Sequence, residues 1–373
     1  MIYFDNSATT YKKPLCVKLW TLKGLRVANA GRSGHSLSQK SATEIFRARL
    51  KLQTFFNVPR QEDVIFTSNC TEALNMAILG SAKKGHVIAS TFEHNSVLRP
   101  LKKLEDDGLI TLSIVEPEND NIITRSDVEK LIRPDTYLVC VSYINNTLGN
   151  KNDINEIGKL CKEKSILFLV DSAQSSGHIM IDMQKDNISM LTFAGHKGFF
   201  APQSIGGLCL NGCDLKPIKY GGTGTNSSEL VMPSSNPEKL ESGTLSCPMI
   251  YGLSAGVSYV INHFEKHTQK VATLTRYLYN GLKELGVIVY TNPKSEYGVM
   301  LFNAQNIDSV ELSTILDEKY HIMVRGGLHC AALAHKYLGT LKTGALRVSI
   351  NHYNSKRQID YFLKALKEIL ETN

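Results

Sequence analysis

Short apolar runs and amphipathic stretches alternate along the first two thirds of the chain. From about residue 64 to 210 the runs DVIFTS, GHVIAST, LITLSIVE, TYLVCVSYI, ILFLVD, MLTFAG and IGGLCLN read as buried strands. Between them lie helical patterns such as DINEIGKLCKEKS, which places Ile154, Ile157, Leu160 and Cys161 on one face. Asp153 and Glu156 sit where a capping box would start that helix. The alternation predicts an α/β fold, an open and mainly parallel sheet with helices on both faces. After residue 255 the texture changes to a long helical stretch, short strands and a final amphipathic helix carrying Ile359, Phe362, Leu363, Leu366, Ile369 and Leu370. We therefore expect a large domain over residues 16–255, and a smaller α+β domain built from residues 1–15 and 256–373.

Composition narrows the class without choosing a function. Hydrophobic residues make up 42% and charged residues 21% of 373, as in ordinary globular enzymes. The net charge of +7 is spread out, which suits an anionic ligand. Nucleic-acid binding would need a basic stripe with aromatic platforms, and none is present. The densest basic segment, KPLCVKLWTLKGLR, reads as a solvated helix face. The eight cysteines show no CxxC pair, and the Cys209/Cys213 spacing lacks a second ligand pair, so no metal site is expected. No apolar run approaches the ~20 residues that span a bilayer. With no secretory leader at MIYFDNSATT, a cytoplasmic, soluble protein is expected.

Two residues at predicted strand ends suggest a chemistry. Asp171 closes ILFLVD, and Lys197 follows LTFAG, so both belong at the carboxyl edge of the sheet, where open α/β folds bind ligands. Pyridoxal phosphate needs one lysine to form an imine and one carboxylate to keep its ring nitrogen protonated. The plainer alternative for Asp171 is a helix N-cap for the following SAQSS segment. Thr71, in SNCTEALNMAI, offers a hydroxyl at a helix start, as a phosphate ligand or as an ordinary N-cap. His94 stands at another strand end, where an imidazole can stack on a planar ring. The Gly-rich and Ser-rich stretch over residues 220–237 is long enough to predict a functional loop.

These motifs, taken in order, carry a family resemblance. YFDNSATT, GRSGHSLS, SNCTEALN, EHNSVLRPL, DSAQSSGH, GHKG, ESGTL, VRGGLHCAALAH and LRVSINHYNS together resemble fold-type I pyridoxal-phosphate enzymes of the class V aminotransferase family. Within that family the chain is similar to the cysteine desulfurase and selenocysteine lyase branch. The resemblance implies that Lys197 holds the cofactor as an imine, that Asp171 pairs with its ring nitrogen and that Gln174 contacts its ring hydroxyl. It also implies His94 stacked on the ring, with Thr71 and His196 on the phosphate. Thr244 would reach the phosphate of a neighbouring subunit's cofactor, which requires a homodimer with shared active sites. Arg347 would grip the α-carboxylate of a small amino-acid substrate, with Asn146 nearby. The bland reading of Arg347 is a surface ion pair.

Cys330 would be the nucleophile that takes sulfur from cysteine, leaving alanine and a persulfide for an acceptor protein or small thiol. Its thiol would be tuned by the neighbouring His329 or by a cation such as Arg325. The short RGGLHC approach resembles the second group of desulfurases. Three positions depart from the family pattern: Ala194 stands where a phosphate-binding hydroxyl is common, so Thr71, Thr223 or backbone donors must compensate, Tyr143 replaces a histidine, and Ala332, two residues after the cysteine, stands where many relatives have proline or glutamine. A selenocysteine lyase, or a transaminase or β-lyase in which Cys330 is idle, are the alternatives.

Overall fold

The period-2 alternation of the central strands is what sorts their side chains into two cores. The computed structural model describes residues 1–30, 33–304 and 307–372. In chain order the elements begin with β1 (Ile2–Tyr3), α1 (Leu15–Gly24), α2 (Ser36–Phe56), β2 (Val64–Thr67), α3 (Cys70–Gly80), β3 (Gly85–Ser90), α4 (Asn95–Asp106) and β4 (Ile110–Val115). There follow α5 (Arg125–Glu129), β5 (Thr136–Ser142), α6 (Ile154–Glu163), β6 (Leu167–Asp171), β7 (Met190–Ala194) and β8 (Gly206–Leu210). The remainder is α7 (Cys247–Glu284), β9 (Ile288–Val289), β10 (Val299–Asn303), α8 (Ser309–Tyr320), β11 (Ile322–Met323), α9 (Ala332–Tyr337), β12 (Leu346–Ser349) and α10 (Lys356–Thr372).

Seven strands form the large sheet in the order β2-β8-β7-β6-β5-β3-β4. All pairs are parallel except those made by β8, which runs against both β2 and β7. Leu138, Cys140 and Leu169 face one core with α3 and α4, whereas Val139, Val141, Phe168 and Val170 face the other with α2, α6 and the first half of α7. Because β2 and β3 run parallel to β5, β6 and β7, their carboxyl ends open on one edge. The seven strands are those expected from the apolar runs.

A third core packs Phe4, the second half of α7, β10, β12, α8 and α10 around an antiparallel sheet of order β12-β10-β9. In α10, Ile359, Phe362, Leu366 and Ile369 are buried, and Leu363 and Leu370 pack at the margin. We propose these cores as two domains, with the division at residue 255 lying inside α7. Segment 1–5 joins the third core: β1 pairs with β11, and Asp5 bridges Ser349.

One local expectation fails. Asp153 precedes α6 but makes no side-chain cap, because φ −83 and ψ 63 take it out of the extended region a cap needs. The α1 segment has the expected solvated face, with Leu15, Leu19 and Leu22 exposed on it beside Lys18 and Lys23.

Candidate functional site

Five strands deliver side chains to one cleft of about 200 Å³. It is lined by Thr71 beyond β2, His94 beyond β3, Asn146 beyond β5, Asp171 at the end of β6, and His196 and Lys197 beyond β7, with Gln174 alongside. Seven of the ten residues singled out in the sequence therefore share one cavity. Gly31 and Arg32 of the GRSGHSLS motif lie outside the described residues.

Asp171 is buried, and its Oδ1 accepts from the Ala173 amide at 2.8 Å, with Cys70 Sγ at 3.8 Å. No helix starts here; residues 172–178 make turns, so the cap reading fails. Burial pushes the Asp171 carboxyl up, opposed by the Ala173 amide and by the charge of Lys197. Burial lowers the Lys197 amine, and Asp171 works against that shift. The neutral amine, the nucleophilic form, is thereby favoured.

The turn that presents Lys197 is held from two sides. Gly198 packs so tightly on the Ser176 carbonyl that a Cβ would overlap it. The His196 carbonyl accepts from the Thr10 amide (3.1 Å), Thr10 Oγ1 (3.0 Å) and Lys13 Nζ (3.1 Å). Burial brings the Lys13 amine down to about 8. Gln174 Nε2 donates to Ser7 O at 3.1 Å, so residues 5–13 run past the cleft as a strap.

Thr71 is not the N-cap of α3. Asn69 takes that position, accepting from the Glu72 amide, which leaves Thr71 in the first turn facing the cleft. Thr71 Oγ1 meets Ser96 Oγ at 2.9 Å, and Ser96 Oγ meets His94 Nδ1 at 2.9 Å. His94 Nδ1 also accepts from the Ser96 amide, so the ring proton sits on Nε2. Burial, helped by Lys197 and nearby arginines, pushes His94 down to about 4 and keeps it neutral. His196 is likewise pushed to about 4, and its Nδ1 is buried without a partner among the described residues. Ala194 lines the cleft with no hydroxyl to offer.

Arg347 stands on β12 and is 1% exposed, which excludes the surface ion pair. Its Nη1 donates to Asn146 O and its Nη2 to Asp5 Oδ1, each at 2.9 Å. The Asn146 side chain donates to His329 O at 2.8 Å. Cys330 is exposed beside the cleft: its carbonyl accepts from the Asn95 amide at 2.8 Å, one residue past His94. His329 (φ 52) and Cys330 (φ 57) both occupy the left-handed region, a strained turn of the kind that collects at functional sites.

The His329 ring turns away from the thiol. Its Nε2 faces Arg325 O at 3.1 Å and its Nδ1 faces His335 Nε2 at 3.2 Å, and burial pushes it down to about 2. Arg325 is the thiol's neighbour, with Nη2 3.9 Å from Sγ. Thr244 is exposed outside the cleft, and Thr223 lines a separate cavity with Arg49, Glu241 and Gly243. The sequence reading missed Asp5, Lys13, Cys70 and Ser96. Only Ser96 left a local signal, as the second residue after His94 on a new helix.

A family model described as aminotransferase class-V matches residues 2–362. The chain is 34% identical to a "probable cysteine desulfurase" of Pyrococcus abyssi, covering 100% of this chain and 95% of that one. It is 31% identical to the cysteine desulfurase IscS of Glaesserella parasuis, covering 98% and 92%. The solved apo structure of the cysteine desulfurase from Thermococcus onnurineus NA1 aligns with a TM-score of 0.92 at 30% identity, covering 100% and 95%.

Proposed function

Because the chain belongs to the class V aminotransferase family, we propose that it is a pyridoxal-phosphate-dependent cysteine desulfurase, converting cysteine to alanine and loading the sulfur on Cys330. The observation that carries this reading is the convergence of Asp171 and Lys197 on one cleft with an exposed cysteine tied to its wall.

The residues suit the cofactor. Asp171 is a buried carboxylate beside the cleft, the partner a protonated ring nitrogen requires, and the orphaned Nδ1 of His196 is a ready phosphate contact. When bound, the cofactor supplies an electron sink for negative charge at the substrate's α carbon. Lys197 would hold the cofactor through its Nζ and, once that amine is free, would carry the α proton on it. His94 would stack on the ring, Gln174 would contact the ring hydroxyl, and Thr71 would hold the phosphate in place of the hydroxyl that Ala194 lacks.

Arg347 and Asn146 fix the substrate α-carboxylate, which leaves the thiol side directed at Cys330. Cys330, with Arg325 Nη2 3.9 Å from its sulfur, attacks the substrate sulfur as a thiolate. A sulfur–sulfur bond forms, the carbon–sulfur bond breaks with its electron pair left on carbon, and a proton completes alanine. The exposed persulfide is then accessible to an acceptor protein or small thiol, as expected for a cytoplasmic enzyme.

Thr244, exposed outside this chain's cleft, would reach the phosphate of the neighbouring subunit's cofactor in a homodimer. The exposed Leu15, Leu19 and Leu22, spaced for one helix face, supply apolar surface for that second copy.

The test is to load the protein with pyridoxal phosphate, add cysteine, and measure alanine and sulfide. Lys197→Ala should abolish both the visible cofactor band and alanine formation. Cys330→Ala should keep the band and lose alanine formation from cysteine. Alanine output unaffected by Cys330→Ala overturns the persulfide step; pyruvate with ammonia marks a lyase instead.

A further inference from the structure

Arg347 is a buried cation whose hydrogen bonding is incomplete. A guanidinium carries five N–H donors, and burying them unpaired is costly. Nη1 donates to the Asn146 carbonyl and Nη2 to Asp5, while Nε is buried with no partner among the described residues. Asp5 is the only carboxylate paired with it among the described residues, and it comes from the strap, 342 positions away in sequence. Its side chain is 20% exposed against 1% for Arg347, so the anion sits at the open end of the pair. The other charges that bear on Arg347 include Lys197, Arg325, across the antiparallel bridge between them, and the Cys330 thiol.

We propose that Asp5 is the resident counterion of Arg347, and that the substrate's α-carboxylate displaces it from Nη2 while also taking the unpaired Nε–H. This inference rests on the assignment of Arg347 to the substrate carboxylate. Its consequence concerns release. The carboxylate is common to cysteine and alanine, so gripping it harder binds substrate and product alike and gives no help to the reacting atoms. A resident anion lowers that grip on both, and it keeps the guanidinium oriented between turnovers. Asp5 is thus a positioning residue that acts through Arg347.

Propionate, a carboxylate with neither amine nor thiol, isolates the effect. Calorimetric titration of propionate into the full chain should give affinity about tenfold tighter for Asp5→Asn than for the wild type, within the usual range of coupling between adjacent groups. Asp5→Glu should return to the wild-type value. In the loaded enzyme, Asp5→Asn should lower KM for cysteine and the inhibition constant for alanine together, with kcat reduced by slower release. Asp5→Ser serves as the second variant if the asparagine protein does not fold. Equal or weaker propionate binding in Asp5→Asn and Asp5→Ser overturns the proposal, as does tightening that persists when Arg347→Met is added. If Arg347→Met leaves wild-type propionate binding unchanged, the carboxylate assignment itself fails and takes this inference with it. The cysteine-to-alanine assay is a separate readout of the activity.

Discussion

Glu93 is a carboxyl group kept neutral by its surroundings, and its replacement has a calculable effect. It is fully buried just before His94, where Oε1 accepts from the Ser142 amide at 2.8 Å and from Ser90 Oγ, while Oε2 is buried with no partner. Burial lifts it from its ordinary 4.5 to about 8. The folded protein therefore holds a proton that the unfolded chain releases across this window. Stability falls as pH rises through the window, and the deficit is complete above the folded value. At about 1.4 kcal/mol per pH unit, the deficit is roughly 5 kcal/mol. Glu93→Gln keeps the acceptor for Ser142 and Ser90 and removes the ionisation. Urea unfolding should find the two proteins similar near about pH 5, and the glutamine variant more stable by several kcal/mol near about pH 9. A difference between the two proteins that does not grow with pH would refute the reasoning.

Three further outcomes follow from packing and charge. Arg49 and Glu241 form a buried pair that also holds β2 through Val64 O and the Phe66 amide; Arg49→Met should cost about 3–5 kcal/mol in urea unfolding, most of it recovered in Arg49→Met/Glu241→Met. Gly198→Ala should cost about 1–3 kcal/mol and weaken cofactor loading at Lys197 as read by absorbance, whereas Gly34→Ala, with open space around it, should do neither. His352 stacks on His267 at 3.6 Å and touches Phe200, near His178 and with His263, Lys266 and Lys270 along α7. Burial and these cations push His352 to about 3 and His267 to about 4, so stability present above the ordinary 6.5 is lost as pH falls toward those values. His352→Phe should flatten that acid limb in a denaturation series.

The strands were legible because apolar runs of four to seven residues bounded by turns have few other uses. Asp171 and Lys197 were legible for a related reason: the strand ends that place them could be counted. The residues that complete the site were not, because their partners lie far away in sequence. Nothing around Asp5 announces an arginine at position 347, and nothing around Lys13 announces the His196 carbonyl. Local caps failed in a different way. Asn69 outcompeted Thr71 because it stands one residue before the helix in extended conformation, and Asp153 carries the right side chain on the wrong backbone angles. His329 was misjudged because adjacency in sequence says nothing about direction. At φ 52 and φ 57 the chain turns so sharply that His329 faces inward while Cys330 is exposed.

The helix α7 runs unbroken for 38 residues, with Cys247 to Val260 in one core and Leu274 to Leu282 in another. At 1.5 Å per residue it is a beam of about 57 Å. The sheet that presents Lys197 and the strand that carries Arg347 are therefore mounted on one continuous girder rather than joined by a flexible hinge. Such a molecule cannot be divided into exchangeable cassettes at residue 255, since a cut there removes the support of both halves. Transplanting a new substrate arginine from a relative requires carrying the second half of α7 with it.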